Sequence, residues 1–255
     1  MFTNVKSTVR HISPEHVGER FLMKVVYVVL EPQYQSALSA AVKAINANYP
    51  LLAVEVSGYL IDELRDPENY DAFQKDIAEA NIFIGSLIFI EELAEKVVTA
   101  VQPHRDRLDA AVVFPSMPQV MRLNKMGSFS MAQLGQSKSA IGEFMKKRRQ
   151  KQGSGFEDAM LKLLRTLPKV LKYLPVEKAQ DARNFMLSFQ YWLGGSPDNL
   201  ENFMLMLADR YIFKDSDIAG APDEMEYQEP VTYPDIGIWH PLAPAMYEDL
   251  KEYLN

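Results

Sequence analysis

The chain has 255 residues, 47% of them hydrophobic and 24% charged, which is the balance of a folded protein and not of a disordered tail. Its 27 basic and 34 acidic residues leave a formal charge of −7 at pH 7, which disfavours nucleic acid or an anionic membrane as the main partner. Cysteine is absent, so disulfides, thiolate nucleophiles, iron–sulfur clusters and cysteine zinc sites are excluded, and no apolar run reaches the roughly 18 residues that suggest a transmembrane segment.

Residues 1–20 read as an irregular arm with His11, His16 and a break at Pro14. Glu15, Glu19 and the lack of a continuous apolar core match neither a secretory signal nor an acid-poor transit peptide. The stretch 24–30, KVVYVVL, is β-branched and aromatic enough for a buried strand. Glu31-Pro32 closes it, and from Tyr34 the positions Ala37, Leu38, Ala41, Val42 and Ile45 recur at helical steps. A shorter strand is predicted at 52–56. Asp66-Pro67 then caps a helix whose face is Tyr70, Phe73 and Ile77.

The run 81–92, NIFIGSLIFIEE, is apolar on both faces and hands over through Gly85-Ser86 to a helix bearing Leu93, Val97, Val98 and Val101. DAAVVF at 109–114 is the fourth strand. Four strands alternating with helices predict an α/β fold, a flavodoxin-like doubly wound parallel sheet of order 2-1-3-4. Ligands of such sheets sit beyond the carboxyl ends of the strands, here at Glu31, Gln33, Ser86, Leu87, Ser116 and Met117. Ser86 and Ser116 read more readily as turn and cap residues.

Residues 115–150 read as broken helices ending in a basic run at 146–151, either an anionic-partner site or solvated cations at a helix end. Gly153-Ser154-Gly155 marks a linker, after which the pattern turns purely helical. Met160, Leu163, Leu164, Leu167, Val170, Leu171 and Leu174 share a face interrupted by Pro168. A second helix at 177–193 turns Ala182, Phe185, Met186, Phe189 and Trp192 inward. Gly194-Gly195 ends it, and Ser196-Pro197 opens a third with Leu200, Phe203, Met204, Leu207 and Tyr211. The expected organisation is an α/β head at 1–152, an all-helical neck at 153–214, and a connector at 215–255 that begins a further, truncated domain.

Catalytic motifs are mostly missing. There is no Gly-x-Gly-x-x-Gly, no phosphate loop ending in Gly-Lys-Ser/Thr and no Gly-x-Ser-x-Gly. The histidines at 11, 16, 104 and 240 have no metal-ligand spacing. Glu91 and Glu92 could pair as acid and base, but carboxylates in a first helical turn are ordinary dipole partners. Trp239-His240 could meet a flat ligand, or supply a buried tryptophan beside a surface histidine.

KVVYVVLEPQYQSALSAAV, ANIFIGSLIFIEELAEKVV, PHRDRLDAAVVFPSMPQVMRLNKMGSFSMAQLGQSKSAI and LPKVLKYLPVEKAQDARNFMLSFQYWLGGSPDNLENFM together resemble the N-terminal region of the large H subunit of magnesium chelatase. That family is similar to the cobaltochelatase large subunit, and the resemblance covers essentially the whole chain. It implies chlorophyll biosynthesis by an ATP-dependent enzyme that inserts Mg2+ into protoporphyrin IX. The I and D subunits are its ATP-hydrolysing partners, and a porphyrin-binding activator stimulates it. The resemblance implies the cytoplasm of a cyanobacterium, or the plastid stroma of a plant or alga. It also places the residues of metal insertion beyond residue 255, so no catalytic residue carries over and the chain alone is expected to be inactive. The alternative is a protein-interaction module for the motor subunits or the activator.

A porphyrin is a broad apolar plate with two carboxylates, so its site needs aromatic or methionine surface and a cation at the edge. Met117, Met121, Arg122 and Lys125 supply that set just past the fourth strand, and Trp239 offers another plate. These five are the expected porphyrin contacts.

Overall fold

The computed structural model describes residues 10–129, 168, 171–172, 176–214, 225–231, 237–238, 247 and 249–254. Six strands form one sheet: β1 (His11–Ile12), β2 (Phe21–Val29), β3 (Leu52–Leu60), β4 (Ile82–Ser86), β5 (Ala110–Val113) and β6 (Lys125–Met126), in the order β1-β3-β2-β4-β5-β6. The inner pairings β3/β2, β2/β4 and β4/β5 are parallel, and β1 and β6 close the edges antiparallel. The four parallel strands thus run in the expected order. The two-residue edge strands lie where an arm and broken helices were expected.

Helices cover both faces. On one, α2 (Pro67–Glu79), α3 (Glu91–Val101) and the short α4 (Pro118–Met121) bury Phe73, Ile77, Leu93, Val97, Val101 and Val120 against Val26, Val28, Phe83, Ala111 and Val113. On the other, α1 (Gln35–Asn48) is joined by α5 (Glu177–Gly194) and α6 (Pro197–Ala208) over Val25, Val54, Ile84 and Val112. Strand side chains alternate between these two cores, so β4 and β5 are buried at every position, and β2 and β3 carry only Lys24, Glu55 and Ser57 as polar interruptions, as a sheet covered on both sides requires. The predicted helical faces are the buried ones: Leu38, Ala41, Val42 and Ile45 in α1, and Leu200, Phe203, Met204 and Leu207 in α6.

The caps follow from sequence. The Asp66 carboxylate accepts from the N–H groups of Glu68 and Asn69, and Ser196 Oγ accepts from Asn199 N–H, each satisfying orphan donors of a first turn. Gly195 ends α5 at φ 59, a left-handed position that favours glycine. Beyond α6, Asp209–Phe213 form one turn of π-helix. Residues 225–231 return across α5 and α6 as an extended strap, and α7 (Leu250–Leu254) is the last described helix.

α5 and α6, expected in a neck, share one continuous core with the sheet. The linker at 153–155, the basic run and the first neck helix, apart from Pro168, Leu171 and Lys172, lie outside the described residues.

Candidate functional site

The carboxyl rim of the sheet, where a ligand was expected, is filled from within. Ser86, the last residue of β4, is 3% exposed and accepts the indole N–H of Trp192 at 3.2 Å. The indole stacks on Tyr34 (centroids 4.4 Å apart, planes 25° apart) and on Phe114 (5.0 Å, 16°). Phe189 and Phe203 pack edge-on or tilted around Phe114. Each such ring pair contributes about 0.5–1.5 kcal/mol beyond the area it buries. Trp192 therefore occupies the crevice between β2 and β4 with its only polar atom satisfied.

The turn above the crevice is tight. Leu87 has φ 59, an uncommon conformation for a side-chain-bearing residue, and its N–H donates to Pro115 O at 3.0 Å. Ser116 Oγ accepts from Ile88 N–H at 3.1 Å and so braces the turn ahead of α3, whose N-cap position is Ile90. Leu30 and Phe89 stand exposed on this rim, and Leu193 stands exposed beside Trp192.

The structure separates the predicted porphyrin contacts. Met117 lies at the rim, its N–H donating to Ile88 O, and Met121 follows one helical turn later; both are half-buried against the α3 core. Arg122 is exposed. Lys125 is carried away by β6, where it pairs with Ala111 near the amino end of β5. There its ammonium donates to the carbonyls of Asp106 (2.9 Å) and Leu108 (2.6 Å), and burial lowers its pKa. Trp239 lies outside the described residues.

Lys125 borders a second feature, a cleft of about 340 Å³ at the amino end of the sheet, lined also by Asp106, Asp109, Asp181, Arg210 and Lys214. Its cations are engaged: Arg107 donates to the carbonyls of Ile77 and Ala80, and Lys214 pairs with Glu177 at 3.2 Å. Asp181, 7% exposed, accepts from Ser128 N–H and Oγ and from the Tyr211 hydroxyl. Burial and the nearby Asp181 carboxylate hold the Tyr211 phenol well above its ordinary pKa. Among the described residues no group of three or more histidines and carboxylates is placed to hold a metal ion, and no described helix is long and apolar enough to cross a membrane.

Three asparagines carry a role that sequence reading missed. Asn46, Asn124 and Asn199 each accept from the N–H and donate to the C=O of one residue, Val54, Val113 and Val231 respectively, at 2.7–2.9 Å. Each side-chain amide thus takes the place of a neighbouring strand.

Together these features define a class: an α/β protein whose mostly parallel sheet is covered on both faces and whose carboxyl-end crevice is occupied by its own tryptophan. Residues 24–186 match the family described as "Domain of unknown function (DUF3479)", and residues 189–255 match "CobN/Magnesium Chelatase". The chain belongs to the family of the magnesium-chelatase H subunit and corresponds to its N-terminal region. It is 58% identical over 260 residues to the chloroplastic magnesium-chelatase ChlH subunit of Oryza sativa subsp. indica, covering 100% of this chain and 18% of that protein. It is 38% identical over 178 residues to the magnesium-chelatase H subunit of Cereibacter sphaeroides (70% of this chain, 14% of the relative). With the corresponding H subunit of Rhodobacter capsulatus it shares 33% over 223 residues (87% and 18%). The chain thus spans less than a fifth of the length of these relatives, and the division between its two family regions falls inside α5.

Proposed function

We propose that this chain is the N-terminal part of the porphyrin-binding subunit of a magnesium chelatase, the enzyme that inserts Mg2+ into protoporphyrin IX in chlorophyll biosynthesis. The I and D subunits hydrolyse the ATP, and a porphyrin-binding activator is a further partner. The observation that supports this reading is 58% identity to the rice protein across the whole chain. The compartment is the plastid stroma, as the rice relative's chloroplastic name suggests, or the cytoplasm of a cyanobacterium. We read the organisation as a flavodoxin-like head at 1–152, helices at 153–214 and the beginning of a further domain at 215–255.

Within that larger protein the chain shapes and positions. Its rim offers half-buried methionine, exposed phenylalanine and, at Arg122, a cation for a porphyrin carboxylate. The porphyrin edge meets Met117, Met121 and Arg122, with Trp239 as a further plate, while Lys125 stands at the far end of the sheet. Protoporphyrin IX titrated into the chain should quench its fluorescence, and Arg122→Ala should weaken that quenching without unfolding the protein. With porphyrin, Mg2+, ATP and both motor subunits, the chain alone should form no magnesium porphyrin. Absence of quenching in the parent would reject the porphyrin contact and favour the protein-interaction reading.

A further inference from the structure

The strap at 225–231 is held by its backbone. Met225 N–H donates to Asp209 Oδ1 (2.8 Å), Gln228 N–H to Asn202 Oδ1 (2.6 Å), and Val231 pairs both its backbone groups with Asn199 (2.9 Å each). The Tyr191 hydroxyl donates to Gln228 O, and Arg183 reaches Glu229 at 2.8 Å. Backbone groups supply many of these contacts, and Met225, buried in the core, and Tyr227, packed against it, hold the strap as well.

The next residue after Tyr191 is Trp192, the occupant of the rim crevice. One helix end therefore has the strap on one side and the rim on the other. Gly194 and Gly195 bring both sides close: a Cβ on Gly194 would meet Asn199 Nδ2 at 2.1 Å and Val231 O at 3.4 Å, and one on Gly195 would lie 3.6 Å from Tyr34. There is no slack layer between strap and rim, so moving the strap requires the end of α5 to repack.

We infer that the helix end 191–195 is a joint through which the strap sets whether Trp192 closes the carboxyl-rim crevice. With the strap seated, Tyr191 is held and Trp192 stays between Tyr34 and Phe114. With it lifted, the helix end is released and the indole leaves Ser86. The coupling is reciprocal, so disturbing the crevice loosens the strap. None of this depends on what the chelatase binds.

Two readouts on the full chain test the joint in a Trp239→Phe background, where Trp192 is the single tryptophan. Gln228→Pro deletes one anchoring N–H at an exposed position of the strap, and Asn202→Ala removes the same bond from the helix side. Each should speed hydrogen exchange at 225–231 by about five-fold, the loss of one net hydrogen bond, and should raise acrylamide quenching of Trp192 in parallel. Ser86→Ala, at the far side, should speed strap exchange in turn. Faster strap exchange with unchanged Trp192 quenching would overturn the joint. So would a strap unprotected in the parent, or strap exchange indifferent to Ser86→Ala. Unaltered far-UV circular dichroism separates these outcomes from unfolding.

Discussion

Trp192 donates its indole N–H to Ser86 Oγ across 106 residues of sequence, and this bond marks where the helical layer closes the sheet's ligand crevice. Trp192 is 1% exposed, so Trp192→Ala would leave a large cavity lined by Tyr34, Phe114 and Phe203. The expected loss is about 3–5 kcal/mol, read as a lower urea midpoint. Ser86→Ala leaves only the indole N–H unpaired and should cost about 1–3 kcal/mol. A Trp192→Ala variant as stable as the parent would mean that the crevice collapses freely.

The asparagine pairs predict a ranking. Asn124 is fully buried and satisfies both backbone groups of Val113, whereas Asn46 is half-buried beside Val54. Asn124→Ala strands a buried N–H and C=O and should cost about 2–4 kcal/mol; at Asn46 water can replace the lost partner, so Asn46→Ala should cost nearer 1 kcal/mol. Equal losses by chemical denaturation would show that burial does not set the cost.

What was legible in the sequence was local. Asp66, Ser196 and Gly195 announce helix ends because the cap is made by the residue itself, and the face of α1 is written in its spacing. Edge strands β1 and β6 were not legible, since two residues carry no periodicity. The Met117–Lys125 set looked contiguous in sequence, yet β6 reverses direction and takes Lys125 towards the opposite end of the sheet. Trp192 was read correctly as inward, but its partner Ser86 could come only from the tertiary structure. The third strand was predicted at 52–56 and runs Leu52–Leu60, because Ser57-Gly58 resembles a break and is instead a packing requirement.

That requirement is the ring of Tyr27. Tyr27 and Gly58 are paired across β2 and β3, and a Cβ on Gly58 would stand 2.2 Å from Tyr27 Cζ and 2.3 Å from its hydroxyl oxygen. Gly58→Ala should therefore displace a nearly buried aromatic and cost about 1–3 kcal/mol by overpacking. Tyr27→Leu makes room but loses its own burial. The double variant Gly58→Ala/Tyr27→Leu should lose less than the sum of the two singles, since the clash exists only when both wild-type ring and new methyl are present. Strict additivity in thermal or urea denaturation would place the cost of Gly58→Ala elsewhere.

Asp109 sits at the entrance to β5, and its carboxylate accepts from Asn81 Nδ2 at 2.9 Å. Burial raises its pKa above the ordinary 3.8, against opposing pulls from the Asn81 bond, Lys125 and Arg107. A carboxyl that holds its proton more tightly when folded loses stability as pH rises from the unfolded pKa through the folded one, because the unfolded chain ionises first. Above the folded pKa the penalty stays constant. Asp109→Asn removes this titration while its Oδ1 can still accept from Asn81. The variant should therefore be at least as stable as the parent near neutral pH, and its advantage should shrink as pH falls below the ordinary carboxylate value, where Asp109 is protonated in both states. Melting temperatures of the two proteins from about pH 3 to about pH 7 measure the difference directly. If the variant lost more stability at neutral pH than in acid, attraction to Lys125 and Arg107 would outweigh burial, and the sign assigned to Asp109 would be reversed.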